Sequence, residues 1–527
     1  MHKIFRRPVK IGIIITVVTL CFAVALANVY PQATNIYEKI KVMNEMISLI
    51  NKNYVEPVEW DEVMDGAFRG LLEKLDPHSS YIPKKKFQEV NEPFKGKFDG
   101  IGIEFDILGG YITVIAPVPG SPSEKVGIRS GDQFIEIEGE SAYKITKEEV
   151  FKKLRGPRGT SVNVTVRRRG VKDSFEVNIV RGVIPIFSVT SSFMINETTG
   201  YIRLSRFSAT TSDEIDNALN KLKSQGMSQL LFDLRTNSGG YLEQAVAVAD
   251  QFITTQDTLV YTKGRIRSSH QVFQAHSNVG YGNFPLIILL DRWSASASEI
   301  VSGAVQDLDR GLIVGETSFG KGLVQRQWSL SDGSAVRVTI ARYYTPSGRL
   351  IQRPYENGKR EYYRGIGKKD REEILDSLKS ERPVYWSKSG RAVYGGGGIT
   401  PDIHISYAEY SDPTFKVLRD PKRLAFNWAS DYAVSLRDTK ISRNEFIFSY
   451  EIPSDAYFQF LEYVKNQGLE IDNEEINQDN EYIKNILKAE IAGLIWDKEA
   501  KYQVKVAGDN VIREAIIYLP EAEKFLN

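Results

Sequence analysis

The stretch from Pro285 to Leu308, PLIILLDRWSASASEIVSGAVQDL, sets a continuous apolar run directly before a helical pattern. Residues 285–290 have the length and composition of a buried strand, and residues 298–308 predict a helix. A strand, a loop and a helix in this order form the repeating unit of an α/β fold. Loops at strand ends are exposed, so the polar residues between the two elements lie where a site can form.

Two further patterns extend this arrangement along the chain. Residues 229–234, QLLFDL, predict another buried strand, and Tyr241–Phe252 predicts the helix after it. Residues 312–315 predict a third strand. We therefore expect an α/β core over residues 183–410, within a multidomain protein, because 527 residues exceed the size at which single cores stop growing.

The segments around the core differ from it in pattern. Residues 31–95 predict an N-terminal helical subdomain, whose apolar stripe over residues 34–50 forms either a core face or a dimer seam. Residues 353–394 are charged and weakly periodic, which predicts an exposed insertion in the core. Residues 411–527 predict a mainly helical C-terminal region. A homodimer through these helical terminal regions is one expectation.

Residues 96–182 show short β-segments separated by glycine turns, with a helix at Thr146–Leu154. This segment resembles a PDZ domain, because it has a loop similar to the one that holds a peptide's terminal carboxylate through backbone amides. The residues of that loop are Gly100, Ile101, Gly102 and Ile103. PDZ domains bind an extended tail as an added strand along an open sheet edge. The alternative is a small β-barrel without a ligand.

The first 30 residues combine a basic start with the apolar run Ile11–Leu26, which ends in the small residues of Ala25-Leu-Ala27. This pattern predicts either a cleaved secretory signal or an uncleaved inner-membrane anchor. Both alternatives export residues 31–527, which predicts a periplasmic protein. The single cysteine, Cys21, lies in the apolar run, so the exported part has no disulfide and no thiolate nucleophile.

The overall composition excludes several classes of function. The chain has 68 basic and 67 acidic side chains, a net charge of +1, and this balance argues against a nucleic-acid partner. Hydrophobic residues make up 42% and charged residues 26%, as in ordinary globular proteins. Without cysteine in the exported part, a cysteine-based zinc site is also excluded.

Two short segments carry candidate chemistry, Ser294–Glu299 and Phe319–Gln325. Ser296 in the first segment and Lys321 in the second are 25 residues apart, and none of the five histidines lies in either segment. A serine hydroxyl needs a base to become a nucleophile, and a lysine that burial keeps neutral can serve as that base. The pair therefore predicts a Ser/Lys dyad.

Each of the two residues also fits another role when it is taken alone. Ser296-Ala-Ser-Glu299 matches a helix capping box, in which the serine is structural. Gly315–Lys321 matches a phosphate-binding loop through its lysine, but Gly322 stands where a magnesium-binding Ser or Thr is needed. Residues 323–328 predict a strand, whereas a phosphate loop leads into a helix.

Five segments occur in a fixed order and connect these residues to one another. They are Gly200–Ser208, Phe232–Gly240, Ser294–Glu299, Phe319–Gln325 and Tyr344–Arg349. With this order the sequence resembles the carboxyl-terminal processing peptidases, the tail-specific serine proteases of bacteria and plastids. The resemblance runs from about Tyr37 to His404 and includes the PDZ-like segment and Leu75–Tyr81, LDPHSSY.

The resemblance implies a role for each matching residue. The implied catalytic residues are Ser296 as nucleophile, Lys321 as general base and Gln325 as the residue that orients the lysine. The implied oxyanion-hole amides are those of Ala297 and Gly240. Because Ser238 stands where relatives often have glycine, the choice between Gly239 and Gly240 stays open.

The proposed base sets two requirements on the structure. A free lysine has a pKa of about 10.4, and lowering it to about 7–8 requires burial worth roughly 4 kcal/mol, away from carboxylates. In a straight strand, Lys321 and Gln325 would lie about 13 Å apart, so direct contact requires a bend. Gly320 and Gly322 permit such a bend.

We therefore predict an exported endopeptidase that binds C-terminal tails of proteins through its PDZ domain and cleaves them at Ser296 and Lys321. The resemblance implies a core related to the crotonase-type α/β spiral of ββα units, a preference for apolar tails, and no cofactor, metal or nucleotide. The alternative is a non-catalytic PDZ scaffold that binds tails, with Ser296 as a helix cap and Lys321 as a solvated charge.

Overall fold

The structure is a computed structural model that describes residues 36–276, 281, 283–368, 370–436 and 439–526. The chain divides into two compact units, Met1–Lys74 and Leu75–Asn527. The predicted leader over residues 1–30 lies outside the described residues. In the described part of the chain, no helix has the length and apolar character needed to cross a membrane.

The first unit contains two helices, α1 (36–53) and α2 (Trp60–Glu73). The Trp60 indole N–H donates to the Asn51 side-chain oxygen over 3.0 Å and links the end of α1 to the start of α2. Ile36 and Ile40 of the predicted apolar stripe remain exposed. Met43, Ile47 and Ile50 of the same stripe are partly buried, and both the core face and the dimer seam stay predictions.

The second unit opens with β1 (Ser80–Ile82) and α3 (Lys84–Lys95). β1 pairs antiparallel with the core strand Ala335–Tyr344. The structure thus divides the chain after Lys74, whereas the sequence placed a boundary at residue 95. The difference arises because a three-residue strand that pairs far along the chain leaves no local pattern.

A small β-domain follows, as predicted for residues 96–182. Its elements are β2 (Lys97–Gly100), β3 (Ile103–Leu108), β4 (Tyr111–Pro117), α4 (Pro122–Lys125), β5 (Gln133–Ile137), β6 (Glu140–Ser141), α5 (Lys147–Leu154), β7 (Ser161–Arg167), β8 (Phe175–Val180) and β9 (Gly182–Pro185). The main sheet has the order β3-β4-β5-β7-β8, so β3 is an edge strand. Val162, Val164 and Val166 alternate with polar residues on β7 and point into this domain's core.

The peptidase-like core contains two sheets and three helices in its first part. The elements are β10 (Val189–Met194), β11 (Thr199–Leu204), α6 (Thr211–Ser224), β12 (Gln229–Asp233), α7 (Leu242–Asp250), β13 (Thr258–Gly264), β14 (Gln271–Gln274), β15 (Leu286–Leu290), α8 (Ala297–Asp307), β16 (Leu312–Gly315), β17 (Leu323–Ser329) and β18 (Ala335–Tyr344). The strands and helices predicted around residues 229–315 are confirmed within about two residues at each end.

The central sheet decides where a site can form. Its order is β10-β11-β12-β15-β16 followed by Ile403–His404, and every neighbouring pair from β11 onward is parallel. In parallel sheets, loops beyond the carboxyl ends of the strands carry ligands and catalytic groups. Here those loops follow Asp233, Leu290 and Gly315.

The insertion over residues 353–394 is structured. It contains α9 (Lys359–Arg364), α10 (Arg371–Ser377), β19 (Val384–Trp386) and β20 (Ala392–Tyr394), and β21 (Ile403–His404) follows it. Tyr362 and Ile366 are buried, and Arg371 donates to the carbonyl oxygens of Thr317 and Ser318. The expectation of a wholly exposed insertion is therefore wrong, because a few anchoring side chains suffice without helical periodicity.

The C-terminal region is helical, as predicted. Its helices are α11 (Asp412–Arg419), α12 (Leu424–Leu436), α13 (Arg443–Phe448), α14 (Ser454–Asn466), α15 (Asn473–Asn477), α16 (Asn480–Ile495), α17 (Lys498–Ala507), α18 (Asn510–Ala515) and α19 (Leu519–Glu523). Most of them form their own core, but Ile512 and Leu519 pack with Leu231 and Leu289 of the central sheet. The last helices therefore cover the face of the sheet opposite α6, α7 and α8.

Candidate active site

Ser296 lies between the end of β15 and the first turn of α8. Its backbone has φ +58° and ψ −111°, a conformation that is strained for a residue with a side chain. A strained turn from strand to helix exposes a hydroxyl at the sheet edge and directs helix-terminal amides toward it. Ser296 is partly buried, and Ala297 after it is fully buried.

Glu299 joins the Ser296 turn to the Lys321 loop. Its carboxylate accepts hydrogen bonds from the backbone N–H of Ser296 at 2.7 Å, Lys321 at 3.0 Å and Gly320 at 2.6 Å. Burial raises the pKa of this fully enclosed carboxyl group. The predicted cap at the start of α8 thus exists, and the same carboxylate also fixes the position of the lysine.

Lys321 meets the requirement for a neutral base. Burial lowers the pKa of its amine to about 8, and the positive charge of Arg337 contributes in the same direction. Glu299 and Asp76 act against this shift. Near neutral pH the amine therefore loses its proton far more readily than an exposed lysine does.

Gln325 contacts Lys321 directly. The Lys321 Nζ donates to the Gln325 Oε1 over 3.0 Å, without adding a negative charge that would raise the amine's pKa. Lys321 precedes β17, Gly320 has φ +86°, and a register shift lies between Val324 and Gln325. These two departures from a straight strand supply the bend that the contact requires.

The segment Asp76–Ser79 holds the other end of Gln325. The Gln325 Nε2 donates to the His78 carbonyl oxygen over 2.6 Å. The Asp76 carboxylate accepts from the backbone N–H of both His78 and Ser79 and so fixes this turn. Burial, assisted by the charge of Lys321, lowers the pKa of His78 to about 3 and keeps its imidazole neutral. His78 therefore lies in a turn that the Asp76 carboxylate holds.

Two glycines after β12 approach the Ser296 turn. A Cβ atom on Gly239 would lie 2.8 Å from the Ser296 Cβ, so only glycine allows this contact. The Gly239 N–H donates to the Asn237 side chain at 2.9 Å. No hydrogen bond of the Gly240 N–H is seen within the described residues. This difference favours Gly240 over Gly239 as an oxyanion donor.

The five residues predicted as dyad, lysine-orienting residue and oxyanion hole line one cavity of about 620 Å³. They are Ser296, Lys321, Gln325, Gly240 and Ala297. Apolar side chains of Leu242, Ile300, Val324 and Ile340 line the same cavity. The buried Tyr343 hydroxyl lies 3.1 Å from the Ser296 carbonyl oxygen and 2.7 Å from that of Lys321. The arrangement brings the serine and the lysine to one cavity with an apolar wall, and no hydrogen bond between the Ser296 hydroxyl and the Lys321 amine is seen among the described residues.

The predicted carboxylate loop lies in the small β-domain and does not line this cavity. β2 ends at Gly100 and β3 starts at Ile103, so Ile101 and Gly102 lie between two strands. Gly102 has φ +82°, and a Cβ there would lie 2.3 Å from the Ser121 Cβ. The loop is therefore a glycine turn at the start of an edge strand, which suits binding of an extended peptide.

The other sequence-based expectations have simple outcomes. Asp233 and Arg235 form a buried ion pair of 2.7 Å at the end of β12. His270 and His276 are exposed. A strand follows Lys321, which removes the helix that a phosphate loop requires.

Sequence reasoning missed several groups around the dyad. It treated Glu299 only as a cap, and it had no role for Tyr343 or Arg337. The Ser-x-x-Glu pattern and the LDPHSSY segment carried signals for Glu299 and Asp76. Tyr343 and Arg337 lie on a long strand with no motif that marks them.

Four family profiles match parts of the chain. The profile of peptidase family S41 matches residues 198–357, and a PDZ-domain profile matches residues 113–168. The profile of the N-terminal domain of the activating protease CtpB matches residues 25–86. A family of unknown function matches residues 422–497.

Relatives found by sequence identify the family. The chain is 35% identical over 322 residues to the carboxy-terminal-processing protease of Bartonella bacilliformis, which covers 60% of this chain and 74% of that protein. It is 32% identical over 322 residues to carboxy-terminal processing protease CtpB of Bacillus subtilis, with coverage of 60% and 67%. The solved photosystem II D1 C-terminal processing protease is 28% identical, with a TM-score of 0.34 and coverage of 67% and 84%. By its sequence relatives, the chain belongs to the carboxy-terminal processing proteases of peptidase family S41.

Proposed function

We propose that the protein is an exported serine endopeptidase that binds C-terminal tails of proteins through its PDZ domain and cleaves them with a Ser/Lys dyad. The observation that carries the proposal is that Ser296 and Lys321 line one cavity, with the pKa of the lysine lowered to about 8. A helix cap or a solvated lysine has no need of either feature.

In the proposed reaction, the neutral Lys321 amine takes the Ser296 proton while the Ser296 oxygen attacks the peptide carbonyl. Gln325 orients the amine, and the backbone N–H groups of Ala297 and Gly240 stabilise the oxyanion. The lysine then gives its proton to the leaving amine. Water, deprotonated by the same lysine, hydrolyses the acyl-enzyme and restores Ser296.

The PDZ domain supplies tail recognition in this proposal. The edge strand β3 is open to an added strand, and the turn Gly100–Ile103 precedes it directly. Backbone amides in such a turn hold a terminal carboxylate, and apolar side chains of the tail pack beside β3 and α5. A tail bound in this way raises the local concentration of the substrate at the cleft.

The core fold, export and the tail preference are further parts of the proposal. The parallel strands joined by α6, α7 and α8 support a crotonase-like spiral of ββα units for the core. Export rests on residues 1–30, which lie outside the described residues, and a membrane anchor and a homodimer stay predictions. A tail preference for apolar residues rests on the family resemblance.

A test uses the purified full-length protein and an unfolded substrate with an apolar C-terminal tail, compared with the same substrate amidated at its end. We expect cleavage of the free-acid substrate at about ten-fold higher kcat/KM, because the amide lacks the charge that the turn binds. Ser296→Ala should lower kcat/KM by about 10³-fold or more.

Two outcomes contradict the proposal in different ways. Cleavage that persists in Ser296→Ala would exclude Ser296 as the nucleophile. Tight binding of the free-acid tail without cleavage by the parent protein would favour the non-catalytic scaffold. Equal rates for acid and amide would remove only the PDZ recognition step.

A further inference from the structure

Arg337 stands out among the residues of the catalytic cleft. It lies on β18, opposite Gln327 of β17 and Ser80 of β1, and it borders the cavity that contains Ser296 and Lys321. Its side chain is partly buried. The one hydrogen bond that it makes to a described residue runs from its Nη2 to the Gln327 Oε1, over 2.9 Å. A guanidinium carries five donors, so most of them have no partner among the described residues.

The surroundings of Arg337 lack a compensating negative charge. The buried Arg235 and Arg349 pair with Asp233 and Asp307, at 2.7 Å each. Arg337 has no carboxylate partner among the residues that the structure describes, and the acidic residue that lines the cavity, Glu243, is exposed. A half-buried cation with only a neutral partner raises the free energy of the folded protein.

The neighbours of Arg337 hold it in place in spite of this cost. Gln327 accepts from Arg337 and itself donates to the Asn91 side chain over 3.1 Å. The guanidinium is therefore oriented before a substrate arrives, which lowers the entropy that binding would otherwise lose. Arg310, another arginine without a carboxylate, differs because it donates to the carbonyl oxygens of Phe252 and Phe284 and borders no part of the cleft.

We propose that Arg337 is a specificity-determining residue that binds the carboxylate of an acidic side chain of the substrate segment lying in the catalytic cleft. This proposal rests on the proposed function, since it assumes that a polypeptide occupies the cavity. A carboxylate matches the fork of a guanidinium in geometry and charge, and two parallel hydrogen bonds can form. An acidic side chain is favoured over the substrate's terminal carboxylate, because the PDZ turn is assigned to the latter.

The same contact links substrate identity to the base. Arg337 lowers the pKa of Lys321, whereas Glu299 and Asp76 raise it, and His78 beside them is neutral. A bound carboxylate offsets the charge of Arg337 and so raises the pKa of Lys321. The rate of cleavage rises as Lys321 loses its proton. This rise should therefore occur at a higher pH for an acidic substrate than for the matching neutral substrate.

The experiment compares peptide substrates that carry a single Asp, or Asn in its place, at successive positions around the scissile bond. Each peptide is made as the free acid and as the C-terminal amide. The full-length parent is compared with Arg337→Gln and Arg337→Lys. Arg342→Gln is the matched control, because Arg342 is an exposed arginine of the same strand that does not line the cavity.

We expect the parent to prefer Asp over Asn by about ten-fold or more at one position, mainly through KM. Arg337→Gln should abolish the preference, Arg337→Lys should retain part of it, and Arg342→Gln should leave it unchanged. In Arg337→Gln the lower limb of the pH profile should also move upward for the Asn substrate, since a nearby cation is lost.

Three outcomes overturn the inference. The parent shows no Asp preference at any position, or the preference survives in Arg337→Gln, or the acid-over-amide difference at the chain end disappears in Arg337→Gln. The last outcome would assign Arg337 to the terminal carboxylate. Peptide binding to Ser296→Ala measures the same Asp preference without catalysis, so failure of the proposed chemistry cannot be mistaken for failure of this inference. If Arg337→Gln unfolds, Arg337→Lys serves as the test, because it retains the charge and removes the paired donors of the guanidinium.

Discussion

Two of the lysines that the structure describes have a pKa lowered to about 8, Lys321 in the cleft beside the Ser296 turn and Lys505 on α17. Burial is the main cause in both, and a neighbouring cation is the second, Arg337 for Lys321 and Lys501 for Lys505. Lys505 lines a smaller cavity of about 200 Å³, between the β3–β4 hairpin and helices α12, α16 and α17. By protonation state alone the two residues are equivalent.

The groups around each lysine separate them. Lys321 donates to Gln325 and shares a cavity with Ser296, which lies on a strained turn. Gly239 and Gly240 line the same cavity, and the Gly240 backbone N–H has no partner among the described residues. Lys505 shares its cavity with charged side chains, among them Arg423, Glu490 and Lys498. Among the residues that line the smaller cavity, no serine or threonine stands beside the amine. A lowered pKa therefore makes a base available, and the neighbouring geometry decides whether it has a proton to take.

The largest expected effect comes from removing each amine in turn. Lys321→Ala should lower kcat/KM for a tail substrate by about 10³-fold or more, because the attacking hydroxyl loses its base. Lys505→Ala should change kcat/KM by less than about two-fold. Steady-state cleavage assays on both variants, with circular dichroism to check folding, measure the contrast. A comparable loss in both variants would contradict the assignment of the base to Lys321.

The next effect concerns the neutral partner of Lys321. Gln325→Glu places a negative charge beside the amine and should raise its pKa by one unit or more, which lowers kcat/KM at pH 7 by ten-fold or more. Activity should return as the pH rises toward 10, since the amine then loses its proton. The pH profile of kcat/KM measures this shift. Gln325→Ala is the control, and it should lower the rate without moving the limb upward.

The smallest effect is on the stability of the Lys505 region. The pKa of the Lys505 amine is about 8 in the folded protein and about 10.4 in the unfolded chain, so the folded state disfavours the protonated amine. The destabilisation is complete below pH 8 and disappears as the pH rises toward 10.4. Lys505→Met should thus raise the free energy of unfolding at pH 7 by about 1–2 kcal/mol, after solvent screening is allowed for.

Denaturant unfolding at pH 7 and pH 10 checks this last prediction. The gain from Lys505→Met should shrink at the higher pH. An equal gain at both pH values would indicate better packing rather than the removal of a charge, and no gain at pH 7 would show that the amine is well solvated.

Local sequence patterns predicted much of the fold and the residues that meet in the cleft. The strand–helix alternation around Ser296 predicts the α/β core, and the segments Ser294–Glu299 and Phe319–Gln325 indicate Ser296 and Lys321 as candidate residues. Contacts that depend on distant pairing were out of reach. The bulge that brings Gln325 to Lys321 depends on the register between β17 and β18, and no local pattern encodes that register.

The contacts that sequence reasoning missed have one property in common: the residue types involved do not reveal them. His78 holds Gln325 through a backbone carbonyl, which every residue type possesses. Ile512 and Leu519 are apolar positions on short helices, and their pattern does not say which sheet they cover. Arg337 is one charged residue among 68 basic ones, and only its half-buried position in the cleft without a carboxylate partner distinguishes it, since Arg326 in the same cleft is exposed.

The carboxylate of Glu299 has a consequence for how the chain can change in length. It fixes the Ser296 and Lys321 backbones to one another directly, so the path of the polypeptide between them does not set their alignment. Residues inserted at the half-buried turn Leu308–Asp309 after α8 should leave Ser296 and Lys321 in register as long as Glu299 and the Gly320 turn persist. Homologous enzymes with a spacing other than 25 residues can therefore keep the same reactive geometry.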